Sequence, residues 1–544
     1  MATYKTPGVY VEEISTLPPS VAEVSTAIPA FIGYTEAGRM IARINTMLEY
    51  ETIFGKAKPS SFTVQTRNNS LVAIQRDMAT DDPEFVMYYS LSLFFKNGGG
   101  SCYVISVGDY NSTPAKTHFE AGLAELEKED EPTLILLTDA VNLPPADYYD
   151  LCQQALAQCN KLGDRFAILD VLNGEGKVEE FRNQIGINNL LYGAAYYPYL
   201  QTSLNFHFAE DGIKLDGARI GGSTWQKAFG DKGIVVSFTG TAGDTPKVKI
   251  VGAGDEITFN ATALHLLTIN GVNGKTGADV VTAWDAWASV NDSQGFSIIK
   301  NEGGSGEVPT STANVDLEAQ SVAPSSDTLA SIRSTNTTLY NQIKTAMAQQ
   351  RMVLPPSPAI AGIYASVDRD RGVWKAPANV SLSAVLGPVV KITHDQQESL
   401  NVDPAAGKSI NAIRAFMGKG TLVWGARTLA GNDNEWRYVS VRRLFNMIEE
   451  STQKATAFAV FEPNDATTWL KVKAMIESYL YGLWEQGALA GSTPEAAYFV
   501  NVGLGKTMTA QDILEGRMIV EIGVAAVRPA EFIILRFTHK VQEA

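Results

Sequence analysis

The chain has 544 residues, of which 45% are hydrophobic and 19% are charged, a composition typical of a folded globular protein with several domains. Its 44 basic and 59 acidic side chains give a net charge of -15. Because nucleic acid and anionic lipid are bound chiefly through clustered lysine and arginine, this charge argues against either of them as the main partner.

The sequence contains no recognisable export or membrane signal. The stretch MATYKTPGVYVEEIS has no apolar signal core, and no apolar run approaches the roughly 18 residues of a membrane helix. We therefore expect no membrane insertion by this chain. The cysteines, Cys102, Cys152 and Cys159, are few, and the last two lie too far apart along a predicted helix to form a disulfide. Synthesis in a reducing compartment is the simpler interpretation.

The N-terminal residues 1–20 predict an arm rather than part of a domain. Val9, Tyr10 and Val11 lie in an alternating run that is typical of a short strand, and the following LPPS sequence ends it. The stretch IPAFIGYTEAG at 28–38 then predicts the first strand of the body.

Residues 81–200 alternate between helical and strand patterns. Residues 81–100 predict a buried helix that starts after an Asp-Pro pair and ends at Gly98, and residues 147–161 predict a second helix. The buried-strand patterns are CYVISVG (102–108), TLILLTD (133–139), RFAILDV (165–171) and LLYGAAYYPYL (190–200). This alternation predicts an α/β fold with a mainly parallel sheet.

The rest of the chain divides into an insertion and a second part of the body. Residues 201–330 are rich in Thr, Gly, Asn and Ser, which predicts an inserted β-rich domain. Residues 337–354 predict a helix that the PPSP sequence ends. Apolar side chains spaced along one helical face from Trp469 to Leu483 predict a long amphipathic helix.

The C-terminal stretch EFIILRFTHKVQEA, residues 531–544, raises a question about partners. Its apolar run has strand composition and consists of Phe532, Ile533, Ile534, Leu535 and Phe537. A strand without a neighbour presents unpaired N–H and C=O groups, so its own protein or another molecule must cover it.

Motifs for nucleotide and metal chemistry fail on spacing. NVGLGKTM and VDPAAGKSI have Val500 and Val402 where a phosphate-binding loop needs its first glycine. The five histidines are scattered, with no metal-ligand spacing, so neither a cofactor nor a metal is expected. Asp139 and Asp170 end neighbouring predicted strands, where ligands of open α/β sheets bind, and are the best enzymatic candidates. Capping and turn roles are commoner for such aspartates.

One segment has a net charge opposite in sign to that of the whole chain. Residues 401–454 carry eight basic and five acidic side chains, a net charge of +3. Two interpretations are open: these charges pair within the protein, or they form a docking patch for an acidic protein surface.

Several stretches together resemble the contractile tail sheath proteins of phages and related contractile injection systems. They are TPGVYVEEI, FFKNGGGSCYVISV, VLPPSPAIAGIYASVDRDRGVWKAPAN, SINAIRAFMGKGTLVWGARTL, EWRYVSVRRLFNMIEEST, VFEPNDATTWLKVK and GRMIVEIGVAAVRPAEFIILRF. Residues 201–330 show no such similarity, which suits a family whose outer domains differ widely. Met417 stands where the family's FPGRG-like pattern has proline, a local departure.

The resemblance implies a structural protein without catalytic residues. Sheath subunits stack as hexameric rings around an inner tube made of a different protein, and the sheath shortens on a trigger from the baseplate. The implied partners are further copies of the chain, the inner tube, and baseplate and tail terminator proteins. The implied location is the bacterial cytoplasm during assembly, and afterwards a phage tail or a released extracellular particle.

The resemblance also implies a role for both termini. In this family the arms are exchanged, each adding an edge strand to a small sheet of another subunit. Residues 1–20 and 529–544 then become exchange arms. Between them we expect an N-terminal α/β part of the sheath core at 21–200, the outer domain at 201–330 and a C-terminal domain at 331–528.

Within the basic segment, Lys408, Arg414 and Lys419 become candidate contacts to the inner tube. Two other functions stay open: an α/β enzyme that uses Asp139 and Asp170, and an adhesin-like surface protein built on the insertion. The enzyme needs a clustered, partly buried polar pocket at those strand ends, and the adhesin needs export information.

Overall fold

The computed structural model describes residues 21–67, 70–77, 85–216, 224–239, 245–262, 264–320 and 328–536. The chain separates into two compact units. The core unit comprises Met1–Lys58, Pro83–Leu204 and Arg351–Ala544, and the inserted unit comprises Pro59–Asp82 and Asn205–Gln350. The inserted unit thus extends beyond the 201–330 segment, and the five-part division of the chain stays a prediction.

The strands of the described residues are β1 (Pro29–Tyr34), β2 (Met40–Ile44), β3 (Phe62–Arg67), β4 (Ser70–Arg76), β5 (Cys102–Gly108), β6 (Leu134–Leu137), β7 (Phe166–Asp170), β8 (Gly193–Tyr197), β9 (Leu200–Asn205), β10 (Ile213–Asp216), β11 (Thr224–Phe229), β12 (Ile234–Thr239), β13 (Lys247–Val251), β14 (Thr258–Ala261), β15 (Leu266–Asn270), β16 (Phe296–Lys300), β17 (Val315–Asp316), β18 (Glu318–Gln320), β19 (Arg351–Leu354), β20 (Val380–Ser381), β21 (Val385–Pro388), β22 (Ile410–Phe416), β23 (Gly420–Val423), β24 (Tyr498–Val502) and β25 (Val520–Val524).

The α-helices of the same residues are α1 (Met47–Phe54), α2 (Met87–Lys96), α3 (Lys116–Leu126), α4 (Pro145–Leu162), α5 (Lys177–Gln184), α6 (Gly277–Ala288), α7 (Thr337–Met347), α8 (Ser357–Arg371), α9 (His394–Asn401), α10 (Val439–Thr456), α11 (Ala466–Glu485), α12 (Pro494–Ala497) and α13 (Ala510–Leu514). None of these described helices is long and apolar enough to cross a membrane.

The core unit is built on a nine-stranded sheet with the order β2-β5-β1-β6-β7-β8-β22-β23-β20. The six strands from β5 to β22 run parallel, which confirms the predicted mainly parallel α/β sheet. β1, β6 and β7 are buried along their whole length, as expected of strands covered on both faces. Helices α3 and α4 pack against β5 and β7, while α2 packs against α8 and β1.

Most core elements lie where the sequence predicts them, but one prediction is wrong. Residues 337–354 do not form one helix, because α7 ends at Met347 and Arg351–Leu354 forms β19, which pairs with β9. Met352 and Leu354 are buried while Val353 is exposed, which is the alternation of a strand. The Asp-Pro start proposed for α2 lies outside the described residues.

The inserted unit is rich in β-structure. It contains a three-stranded sheet, β10-β3-β4, and two four-stranded sheets, β16-β12-β11-β18 and β14-β15-β13-β17. Helix α6 begins with a capping box at Thr276 and contributes Val280 and Trp284 to an apolar core shared by the two four-stranded sheets.

Candidate functional site

Helices α10 and α11 form the floor of the candidate site. Ile448 of α10 and Val472 and Ile476 of α11 are at most 4% exposed and belong to one apolar cluster. Helix α11 starts where it does because the Asp465 carboxylate accepts two backbone N–H groups of the first turn, at 2.9 and 3.0 Å. The floor is therefore apolar, and the start of α11 is fixed by a specific cap.

Strands β24 and β25 form a two-stranded antiparallel sheet beside these helices. Tyr498 pairs with Val524 and Val502 pairs with Val520. Within the described residues this sheet has no third strand, so the outer edge of β25 leaves N–H and C=O groups unpaired. An isolated pair of strands is only marginally stable in water, and a further strand would extend its hydrogen bonding.

A groove with a volume of about 1070 Å³ runs between β25, α10 and the loop that joins α10 to α11. Its apolar lining includes Ile448, Val472, Ile476, Val520, Ile522 and Val524. The Thr452 hydroxyl also lines this groove and is buried without a hydrogen-bond partner among the described residues. An unpaired edge above an apolar floor is the geometry that receives an added strand.

The chain leaves β25 along a defined path. The N–H of Ala525 donates to Ala497 O at 2.8 Å, and the Arg528 guanidinium donates to Asn434 O at 2.6 Å. At Glu531 the carboxylate accepts hydrogen bonds from Arg427, which at its closest is 2.6 Å away. We call the surroundings of this carboxylate the Glu531 socket.

The Glu531 socket holds the carboxylate with four donors. Arg427 donates through both Nε and Nη2, the Asn401 amide donates at 2.8 Å and the Tyr438 hydroxyl at 3.2 Å. The Arg427 side chain is only 5% exposed. Burial acts to raise the pKa of Glu531, but the hydrogen bonds from Arg427 and Asn401 outweigh it and hold that pKa below its usual value.

Beyond the socket, the C-terminal segment is exposed. Residues 531–536 form no strand in the single chain, in contrast to the predicted strand. The exposed fractions are 69% for Phe532, 79% for Ile533, 78% for Ile534 and 72% for Leu535. Of the other predicted exchange residues, Val9, Tyr10, Val11 and Phe537 lie outside the described residues. Strand exchange by these residues stays a prediction.

The structure separates the three predicted tube contacts. Lys408 is 4% exposed and its ammonium group donates to Arg182 O, so it does not present its charge at the surface of this chain. We therefore no longer count Lys408 among the candidate contacts to the inner tube. The pKa of Lys408 is lowered by burial. Arg414 lies on β22, donates to Gln397 Oε1 at 2.7 Å and covers the Phe416 ring. Lys419 is exposed in the turn between β22 and β23.

The two strand-end aspartates are helix-capping residues in the core. Asp139 accepts the N–H groups of Tyr34 and Val86, and Asp170 accepts the N–H and hydroxyl of Ser357 at 2.8 and 2.6 Å. Burial raises the pKa of each to about 7, against the opposing effect of these donors. Both residues are at most 2% exposed and their carboxylates are occupied by these donors, so they do not form the polar pocket that the enzyme hypothesis needs. The described residues contain no cluster of metal ligands.

Neither the groove nor the Glu531 socket was predicted from the sequence. The alternation in RMIVEIGVAAV was a signal for β25, and the apolar periodicity of α11 was a signal for one wall. The socket joins four residues that lie far apart in the chain, and no local pattern brings them together.

Comparison with known proteins gives consistent similarities. Residues 431–540 match the family model for the phage tail sheath C-terminal domain. A tail sheath protein of Vibrio phage KVP40 is 27% identical over 136 residues, and one of Enterobacteria phage T4 is 26% identical over 129 residues. These matches cover 25% and 24% of this chain but only 20% and 19% of the two relatives.

Solved structures extend the similarity to nearly the whole chain. The anti-feeding prophage helical sheath in its contracted state is 27% identical, with a TM-score of 0.56 over 99% of this chain and 100% of that one. The sheath complex of the extracellular contractile injection system PVC, also contracted, is 27% identical with a TM-score of 0.54 over 99% of each chain. Each of these relatives is named as a sheath protein or a sheath assembly. The chain is therefore similar to contractile tail sheath proteins, in its C-terminal part by the family model and along nearly its whole length by solved structures.

Proposed function

We propose that this chain is the structural subunit of a contractile sheath, which polymerises as hexameric rings around an inner tube and contracts to drive that tube through a target envelope. The observation that carries the proposal is the groove beside the unpaired edge of β25, found in a chain whose own C-terminal segment is apolar and exposed. The contracted helical sheath of the anti-feeding prophage supports it.

The edge of β25 and the predicted exchange strand match in length. β25 has five residues, which span about 17 Å at 3.4 Å per residue in an antiparallel pair. The predicted exchange strand, Phe532 to Phe537, is of similar length. Backbone hydrogen bonds to β25 supply affinity, and alternate side chains that enter the groove set the register. Each copy then needs another copy to complete its sheet, and a polymer follows.

The free energy of the contact between the added strand and β25 is large enough to keep two subunits joined while the sheath changes shape. Burial of four or five large apolar side chains gains roughly 6 to 15 kcal/mol before association costs reduce it. Exchanged strands therefore keep neighbouring subunits joined while the remaining contacts change during contraction.

The remaining partners follow from the same assembly. Arg414 and Lys419 are the retained candidates for salt-sensitive contact with an acidic inner tube. Baseplate and tail terminator proteins lie at the two ends of the sheath. Assembly takes place in the bacterial cytoplasm, and the product is part of a phage tail or a released extracellular particle. No cofactor, metal, nucleic acid or catalytic residue is needed for any of these steps.

Expression of the chain with its neighbouring genes, followed by negative-stain microscopy, tests the proposal. The wild-type chain should give striated tubes in long and short forms. Ile533→Asp should leave a folded chain but abolish the tubes, because a charge cannot enter the apolar groove. Ile187→Asp is the matched control, since Ile187 is similarly exposed, at 81%. Dispersed particles from the wild-type chain, or normal tubes from Ile533→Asp, would contradict the proposal.

A further inference from the structure

The loop between α10 and α11 carries an unusual aromatic residue. After the 3-10 turn Ala457–Ala459, Val460 is 64% exposed and Phe461 is fully exposed, at 104%. The backbone of Phe461 has a φ of 67°. A bulky side chain rarely adopts positive φ, because its Cβ then crowds the backbone. The chain thus holds a large apolar ring in water on a strained backbone.

The base of this loop is held firmly, which explains how the strain persists. The Asn464 amide donates to Arg517 O at 3.0 Å, just before β25, and its oxygen accepts the Trp469 indole N–H at 2.7 Å. The N–H of Glu462 donates to Ala459 O at 3.2 Å. Strained conformations that their surroundings enforce in this way are concentrated at functional sites, particularly at ligand clamps.

The loop borders the groove. Val460 and Phe461 line the same cavity as Val520, Ile522 and Val524 of β25. Neither residue is packed into the floor, since the apolar cluster under the groove does not include them. The exposed apolar surface of Val460 and Phe461 is therefore continuous with the apolar lining of the groove beside the unpaired edge of β25.

We infer that Val460 and Phe461 form a lip that closes over the strand added to β25, and that the strand it grips is the Phe532–Leu535 segment of a second copy. This inference rests on the proposed function. The segment is the occupant that the structure favours because it is apolar, exposed and without a strand partner among the described residues. The Phe461 ring covers the side chains of the added strand that face away from the floor, and it thereby positions the strand.

Substitution of Phe461 separates this role from a structural one. Phe461→Ala and Phe461→Gly should reduce the yield of tubes at least tenfold. Phe461→Gly should leave the unfolding midpoint of the unassembled chain unchanged or raised, because glycine tolerates positive φ. A structural role predicts a lower midpoint instead. Ile187→Ala is the matched control, because it removes a comparably exposed apolar side chain elsewhere.

The outcomes distinguish the two levels of the proposal. If the wild-type chain gives no tubes, the proposed function fails. If the wild-type chain gives tubes and Phe461→Ala gives as many, or if the Phe461→Gly midpoint falls, the lip inference alone is overturned.

Cross-linking identifies the occupant of the lip. Tubes built from a mixture of Glu462→Cys chains and Ile533→Cys chains should yield heterodimers with a short bis-maleimide, because Glu462 lines the groove next to the lip and the three native cysteines are buried. A mixture of Ile187→Cys and Ile533→Cys chains should yield none. Heterodimers of Glu462→Cys with Tyr10→Cys chains, and not with Ile533→Cys chains, would overturn the assignment in favour of the N-terminal arm.

Discussion

The Glu531 socket gives the sharpest prediction about stability. The Arg427 side chain is 5% exposed and the Glu531 side chain is 22% exposed, with the closest atoms 2.6 Å apart. The remaining Arg427 donor, Nη1, reaches Asn401 O at 3.2 Å and Gly431 O at 3.4 Å. Loss of the carboxylate would therefore leave a buried cation with neutral acceptors only.

The expected size of the effect follows from this burial. Removal of one member of a fully buried ion pair costs about 3 to 5 kcal/mol, and the partial exposure of Glu531 places Glu531→Ala near the lower end, at about 3 kcal/mol. Glu531→Gln keeps an acceptor for Arg427, so we expect a loss of about 1 to 2 kcal/mol. The double variant Arg427→Gln with Glu531→Gln should show a coupling energy of about 2 kcal/mol.

Equilibrium unfolding in urea, followed by tryptophan fluorescence, measures these losses. The exposed pair of Glu125 and Lys128 provides a matched control, with side chains 51% and 67% exposed. Glu125→Gln should cost less than about 0.5 kcal/mol. A coupling energy between Arg427 and Glu531 below about 0.5 kcal/mol, the range of an exposed pair, would refute the reasoning that the socket anchors the C-terminal segment.

Three further predictions concern the groove, the core and the hairpin of β22 and β23 that carries Arg414 and Lys419. Thr452→Val should raise the stability of the unassembled chain by about 1 kcal/mol in urea unfolding, because it removes a buried hydroxyl that lacks a partner; a loss of stability would contradict that assignment. The pKa of Asp170 is raised to about 7 by burial, so its contribution to stability is complete below its unfolded pKa and is lost as pH rises through 7. Asp170→Asn should therefore flatten the decline of the thermal midpoint between about pH 4 and 7, and an unchanged profile would show that Asp170 does not titrate there. Arg414→Glu combined with Lys419→Glu should weaken co-sedimentation of sheath with tube while sparing the fold, and undiminished co-sedimentation would remove the hairpin from the tube interface.

The central sheet was largely predictable because its strands are locally distinctive. β5, β6 and β7 are continuous apolar runs, and a run of that kind forms a buried strand wherever helices cover both faces. The pairing of β8 with β22, in which Ile410 lies beside Ala195, was not predictable. Local composition carries no information about which distant strand becomes a neighbour.

The errors have local physical causes. Arg351 to Leu354 continued the helical composition of α7, but pairing with β9 fixed it as a strand. Lys408 was counted as a surface charge, although its ammonium group folds inward to the Arg182 carbonyl. A charge count cannot distinguish a side chain that faces solvent from one that satisfies a buried acceptor.

The candidate site was only half visible in the sequence. The apolar C-terminal run indicated a strand in need of a partner, and the structure leaves Phe532 to Leu535 exposed. The receiving groove depends on the relative placement of α10, α11 and β25, which are separated along the chain. No local sequence pattern shows that these three elements pack around one groove.

A cryo-electron microscopy map of the assembled tube, at a resolution that traces side chains, tests the central claim most directly. Our account predicts a strand from a different subunit hydrogen-bonded along β25, with apolar side chains in the groove and the Phe461 ring against it. A map in which the β25 edge stays unpaired, or in which each C-terminal segment folds back onto its own subunit, would contradict it.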